Sequence, residues 1–176
     1  MLADDIYGEL NKDWAVFRYS PAQGRYIALG LDDTLQPGTG YWVIQLSDLN
    51  PVSLDLPPSY IQPTPVTSTA CTSPNGCYEA PLETGSGNVS WNMLAHPFDH
   101  AIGWVGMRVV DEDKCKNGCI LANAEARNVV YNQGWQYDPE KGSYQTLNNC
   151  SLNAWSGYWI AALRDAKNPK LLIPAD

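Results

Sequence analysis

Residues 135–144 read WQYDPEKGSY: aromatic and polar side chains alternate, break at Asp138-Pro139, and alternate again beyond Gly142. A period of two marks strands, and an Asp-Pro start with a glycine near the end marks a tight reversal between them. The pattern predicts a strand, a turn and a strand. Residues 17–26, FRYSPAQGRY, carry the same order. Tyr19, Pro21, Gly24 and Tyr26 fall on Tyr137, Pro139, Gly142 and Tyr144 at an offset of 118, with Phe17 on Trp135. One deleted residue later, at an offset of 117, Leu35 falls on Leu152, Gly40-Tyr41-Trp42 on Gly157-Tyr158-Trp159, and residues 54–57 on 171–174. Matched glycines, prolines and aromatics in one order over some forty residues point to duplication.

Successive side chains of a strand point to opposite faces, so the Tyr and Trp of each GYW segment cannot share one. One enters the core and the other lies on the opposite side. The Ala- and Glu-rich stretch 120–130 predicts a short helix, with 3–10 as its counterpart in the first copy. The second copy starts earlier, with GNVSWNMLAHPFDHAIGW at 87–104, whose partner would precede residue 1. The first repeat, 1–57, is therefore expected to be N-terminally truncated, and the second, 87–176, complete. A missing strand leaves a sheet edge open, for which a homodimer is one solution. Residues 58–86 are rich in Pro, Thr, Ser and Gly and read as a connector or long surface loop. The expected fold is mainly β. Two pseudo-repeated antiparallel units pack as a sandwich- or barrel-like domain around a shared core, with one short helix per repeat.

Charge narrows the partners. The chain of 176 residues carries a net charge of −8 with its cations scattered, which argues against nucleic acid. No apolar run is long enough to span a membrane. The opening MLADDIYGEL has neither the basic nor the apolar region of a secretion signal. Five cysteines point towards an oxidising compartment. Cys71 and Cys77 bracket one turn sequence, Cys115 and Cys119 another, each suited to a small disulfide ring, and Cys150 is left over. The alternative is that all are reduced thiols.

The order Trp91-Asn92-Met93-Leu94 with Pro97, then Tyr137-Asp138-Pro139 with Gly142 and Tyr144, then Leu152 and Gly157-Tyr158-Trp159, resembles a repeat of bacterial extracellular proteins. Those modules run W-N-L-I-x-x-P, Y-D-P-x-x-G-x-Y and L-x-P-G-x-G-Y-W-V. The match covers 88–163 and, for its latter half, 17–46. It departs at Ala154-Trp155, where the pattern has Pro-Gly. The resemblance implies a cell-surface or secreted β module, generally non-catalytic; it supplies no catalytic residues.

Candidate chemistry is sparse. His96 and His100 are four apart, as zinc ligands on a helix would be, with Asp99 or Asp111 to complete the shell; Pro97 favours a plain loop instead. Asp111-Glu112-Asp113 clusters carboxylates without the spacing of a calcium loop, and an exposed acidic turn is the simpler reading. The cysteine spacings favour disulfides over a thiolate zinc site. No metal or cofactor is assigned. No nucleophile elbow, phosphate loop or nucleophile–base pair is present, so catalysis is not indicated.

Aromatics carry the functional hint: seven Trp and ten Tyr exceed what a small core needs. Trp155 occupies the turn position of Gly38 and should project from a loop tip, where an indole suits stacking on a sugar ring. Asn153, Asn149 and Asn148 lie close enough in sequence to bond hydroxyls, and Tyr144 adds a further aromatic. The competing reading folds Trp155 back over the repeat interface. The leading function is an extracellular binding or adhesion module for a polysaccharide or cell-surface partner. A structural spacer or oligomerisation domain comes second, and a hydrolase of unrecognised type third.

Overall fold

The computed structural model describes residues 6, 8–46, 64–147, 151–154 and 156–175. The described chain is mainly β. A first sheet joins β1 (Trp14–Ser20), β2 (Arg25–Ala28) and β3 (Tyr41–Gln45) in the order β2-β1-β3. A second joins β5 (Val89–Ala95), β9 (Trp135–Asp138), β10 (Ser143–Thr146) and β12 (Gly157–Leu163) in the order β10-β9-β12-β5. The third has the order β4-β13-β7-β8, built from β4 (Cys77–Pro81), β7 (Arg108–Val110), β8 (Cys119–Ile120) and β13 (Lys170–Pro174). A two-stranded pair, β6 (Ile102–Gly103) with β11 (Ser151–Leu152), and one helix, α1 (Leu121–Ala126), complete it. Every pairing between these described strands is antiparallel.

The first two sheets share their registers. Tyr19 stands opposite Tyr26 and Phe17 opposite Trp42; Tyr137 stands opposite Tyr144 and Trp135 opposite Trp159. Both hairpins turn through a glycine with left-handed backbone, Gly24 at φ 63° and Gly142 at φ 61°, a conformation that penalises any side chain. Asp138 closes the second turn by accepting the amides of Glu140 and Lys141 at 3.1 and 3.2 Å.

The two sheets meet through large rings. Tyr19 packs edge-on against Trp159 with centroids 5.0 Å apart, and Tyr137 against Trp42 at 5.1 Å, with interplanar angles of 75° and 74°. Within each sheet the cross-strand tyrosines repeat the geometry, Tyr19–Tyr26 at 5.4 Å and Tyr137–Tyr144 at 5.3 Å. Edge-to-face contacts place positive ring edges on negative ring faces and add to the area buried.

Strand alternation then sends the neighbouring tyrosines the other way. Tyr158, Ile160 and Ala162 of β12 join Leu94, Val109, Leu171 and Ile173 in the main core, between the second and third sheets. Tyr41 packs beside a smaller cluster of Ile6, Trp14, Val16 and Leu29 on the far face of the first sheet. The expected division of each Tyr-Trp pair between faces is present. The apolar clusters, however, are separate, and the layer common to both units is the aromatic one.

The described part of the expected connector, residues 64–86, includes a strand. Within them β4 pairs with β13 from Pro81 opposite Lys170 to Cys77 opposite Pro174, and Ala80 and Leu82 are buried. The strand's own buried residues, Cys77 and Ala80, are small, so hydrophobic periodicity did not reveal it. The disulfide Cys71–Cys77 and the Lys170–Glu79 pair at 2.7 Å pin it. The expected helix at 120–130 is present as α1; half of its proposed counterpart at 3–10 lies outside the described residues, and Gly8, at φ 108°, is not helical.

The edge of β5 facing away from β12 bonds the first unit. The Gly40 amide donates to the Met93 carbonyl and the Ala95 amide to the Gly38 carbonyl, both at 3.0 Å. A Cβ at Gly40 would meet Met93 Cγ at 2.7 Å and the Leu94 carbonyl oxygen at 2.9 Å. Gly40→Ala is therefore expected to destabilise the protein by about 1–3 kcal/mol in chemical denaturation. Gly30→Ala, whose Cβ would come no closer than 3.7 Å to Asp33, serves as the small-effect reference.

Candidate functional site: an aromatic cleft

The second sheet gathers its indoles on one face. Trp159 of β12 stands opposite Trp135 of β9, and Trp91 of β5 stands opposite Ala161. Opposed residues of an antiparallel pair share a face, and Ala161 adds little bulk between its neighbours. Trp91 and Trp135 therefore meet across it, with centroids 4.9 Å apart and planes at 77°. Tyr144 joins from β10, and Tyr19 enters from the first sheet.

These five side chains line an open cleft of about 490 Å³. Its size is that of a small-molecule site, and its walls are nearly all ring carbon with hydroxyl and indole N–H groups at the tips. Trp159 forms the floor at 9% exposure, whereas Tyr144 is 48% exposed at the rim. Burial, followed by the neighbouring Tyr26, pushes the Tyr144 phenol above its ordinary range, partly offset by hydrogen bonding to Trp159. The hydroxyl stays protonated at neutral pH and serves as both donor and acceptor.

Of the sequence-predicted ligand residues, Tyr144 belongs to this cleft. Asn153 is exposed and does not line it; its backbone carbonyl accepts the Tyr158 hydroxyl at 2.8 Å. Burial pushes that phenol up to about 12. Trp155, Asn148, Asn149 and Cys150 lie outside the described residues. Tyr19, Trp91, Trp135 and Trp159 carry no ligand role in the sequence reading, which places them only in the repeat and in the motif pattern. The signal for a cleft was the set of aromatics at matching strand positions, Trp91, Trp135 and Trp159.

Cys71–Cys77 and Cys115–Cys119 are both disulfide-bonded, with Cα separations of 5.9 and 5.4 Å. The acidic cluster is tied down internally. Asp111 is buried and accepts the amides of Asp113, Lys114 and Lys167 at 3.0, 2.8 and 2.6 Å. Glu112 accepts from Asn168, and Asp113 pairs with Lys167. Among the described residues no three His, Cys, Asp or Glu side chains converge on a metal position. No protein-family model, curated protein or solved structure matches the chain.

The histidines sit beyond the end of β5. His96 is buried, its Nδ1 accepting the Phe98 amide at 3.5 Å and its Nε2 donating to the His100 carbonyl. Burial holds its pKa below the ordinary value, outweighing the bond to His100, which acts the other way. A depressed pKa means the unfolded chain binds the proton first, so stability is complete above about pH 6.5 and falls as pH drops towards the folded value. His96→Gln is expected to flatten the dependence of unfolding free energy on pH below about 6.5; an unchanged slope would assign it to other groups.

Proposed function

We propose that this chain is a non-catalytic binding module that takes a ring-shaped ligand, such as a pyranose of a neutral polysaccharide, in the aromatic cleft. The carrying observation is the convergence of Tyr19, Trp91, Trp135, Tyr144 and Trp159 around one open space. A sugar ring has an apolar C–H face that stacks on indoles and an edge of hydroxyls that reaches phenol oxygens and indole N–H groups. The two units are copies of one module, a reading supported by their shared registers and by the paired contacts Tyr19–Trp159 and Tyr137–Trp42. An extracellular or cell-surface setting, and a bacterial source, follow from the resemblance of the motifs. The two disulfides are compatible with that setting.

A second reading, self-association, is favoured by β3. Val43 and Ile44 are 38% and 39% exposed, and Leu46 just beyond is 54% exposed. Light scattering separates the two readings: a dimer disrupted by Ile44→Lys supports association, and a concentration-independent monomer removes it.

Ligand binding is read by tryptophan fluorescence during titration with neutral oligosaccharides. A saturable change is expected, and Tyr144→Ala, at the rim, should weaken binding about three- to tenfold without lowering thermal stability appreciably. Silence across a diverse glycan panel, or binding indifferent to Tyr144→Ala and Trp135→Ala alike, would remove the proposal.

A further inference from the structure

Four of the chain's eleven Lys and Arg residues surround one concavity at the β8 side of the third sheet, which shares no lining residue with the aromatic cleft. Arg108 comes from β7, Lys116 from the loop closed by Cys115–Cys119, Lys114 from the position just before that loop, and Arg127 from the residue that ends α1. Asn117 and Asn123 line the same space, which measures about 510 Å³.

Three of the four cations are anchored by backbone carbonyls, and Lys114 and Lys116 lie within charge reach of Asp113. Arg108 Nη1 donates to the Gly118 carbonyl at 3.5 Å, Arg127 Nη1 to the Lys114 carbonyl, and Lys114 Nζ to the Asn128 carbonyl at 3.3 Å. Each guanidinium has five N–H donors and each ammonium three, so most remain for a ligand. Among the described residues none of the four forms an ion pair with a carboxylate. Asp113, the acidic residue of the lining, is occupied by Lys167 at 2.5 Å. In a chain of net charge −8 this is a local reversal of sign. The disulfide ring fixes the loop that carries Lys116 and Asn117, so less ordering is left for binding to supply.

We infer that this concavity is a binding site for an oxyanion, a sulfate or phosphate group either free or carried on a sugar. Planar guanidiniums recognise such groups by paired N–H bonds, and the asparagine amides supply neutral donors beside them. The site is independent of the aromatic cleft and stands or falls separately from it.

The test is an amide and arginine side-chain NMR titration with sodium sulfate and with sodium phosphate, against sodium chloride at matched ionic strength. Saturable shifts confined to residues 114–118, Arg108 and Arg127 are expected. Lys116→Gln, which removes an ammonium that makes no hydrogen bond or ion pair among the described residues, should weaken binding about fivefold to tenfold, and adding Arg127→Gln should abolish saturation. A sulfated disaccharide binding more tightly than sulfate would support a sugar-borne group, and equal affinity would support the free ion. Linear shifts that chloride reproduces, or affinity unchanged in both variants, would overturn the site. Neutral-sugar binding at Tyr144 should be unaffected in either variant.

Discussion

The edge-to-face packing of tyrosine on tryptophan between the first two sheets is the contact on which the remaining arrangement depends. Trp159 receives Tyr19 and Tyr26 from the first sheet, and Trp42 receives Tyr137 from the second. These rings are too large to rearrange cheaply, and a one-residue slip in any of the four strands would turn them to the wrong face. The aromatic layer therefore sets the register of β1 and β12 as well as the spacing of the sheets. Because alternate residues must then face away, it also delivers Tyr158 and Ile160 to the main core and Tyr41 towards the smaller one.

The layer is balanced in its contacts but not in its surroundings. Each sheet contributes an exposed tyrosine, Tyr26 at 46% and Tyr144 at 48%. The Trp42 indole donates to Tyr26 at 3.3 Å, and Trp159 lines the cleft with Tyr144. Beyond that the halves diverge. The second sheet has β5 beside β12, and with it Trp91; the first has Phe17 where the second has Trp135, and among its described strands none supplies an equivalent of Trp91. Among the described residues the aromatic cleft lies against the second sheet, where Trp91, Trp135, Tyr144 and Trp159 line it. The strand that creates this difference also binds the units together, since β5 bonds Gly38 and Gly40 through its other edge.

Much of this was legible in the residues. The hairpin turns at Gly24 and Gly142, the opposite facing of Tyr158 and Trp159, the helix within 120–130 and both disulfide rings follow from local chemistry that near neighbours decide. What escaped was decided at a distance. Strand β4 hides in a Pro- and Ser-rich stretch because Cys77 and Ala80 are small and become core residues only when β13 covers them. The cleft escaped for a related reason. Alternation says which face a tryptophan takes, but whether an opposing sheet covers it depends on where that sheet ends. Tyr144 stands beside Asn153 among the sequence candidates as a further aromatic, whereas in space it packs on Tyr137 and shares a cleft with Trp159 and Tyr19.

The most direct measurement is a pair of double-mutant cycles, Tyr19→Leu with Trp159→Leu and Tyr137→Leu with Trp42→Leu, read by equilibrium unfolding. Two rings in edge contact should couple by about 0.5–1.5 kcal/mol, and the two cycles should agree to within about 0.5 kcal/mol. Additive effects in both cycles would mean that the sheets are held together by something other than these rings, and the aromatic layer would lose its place as the organising contact.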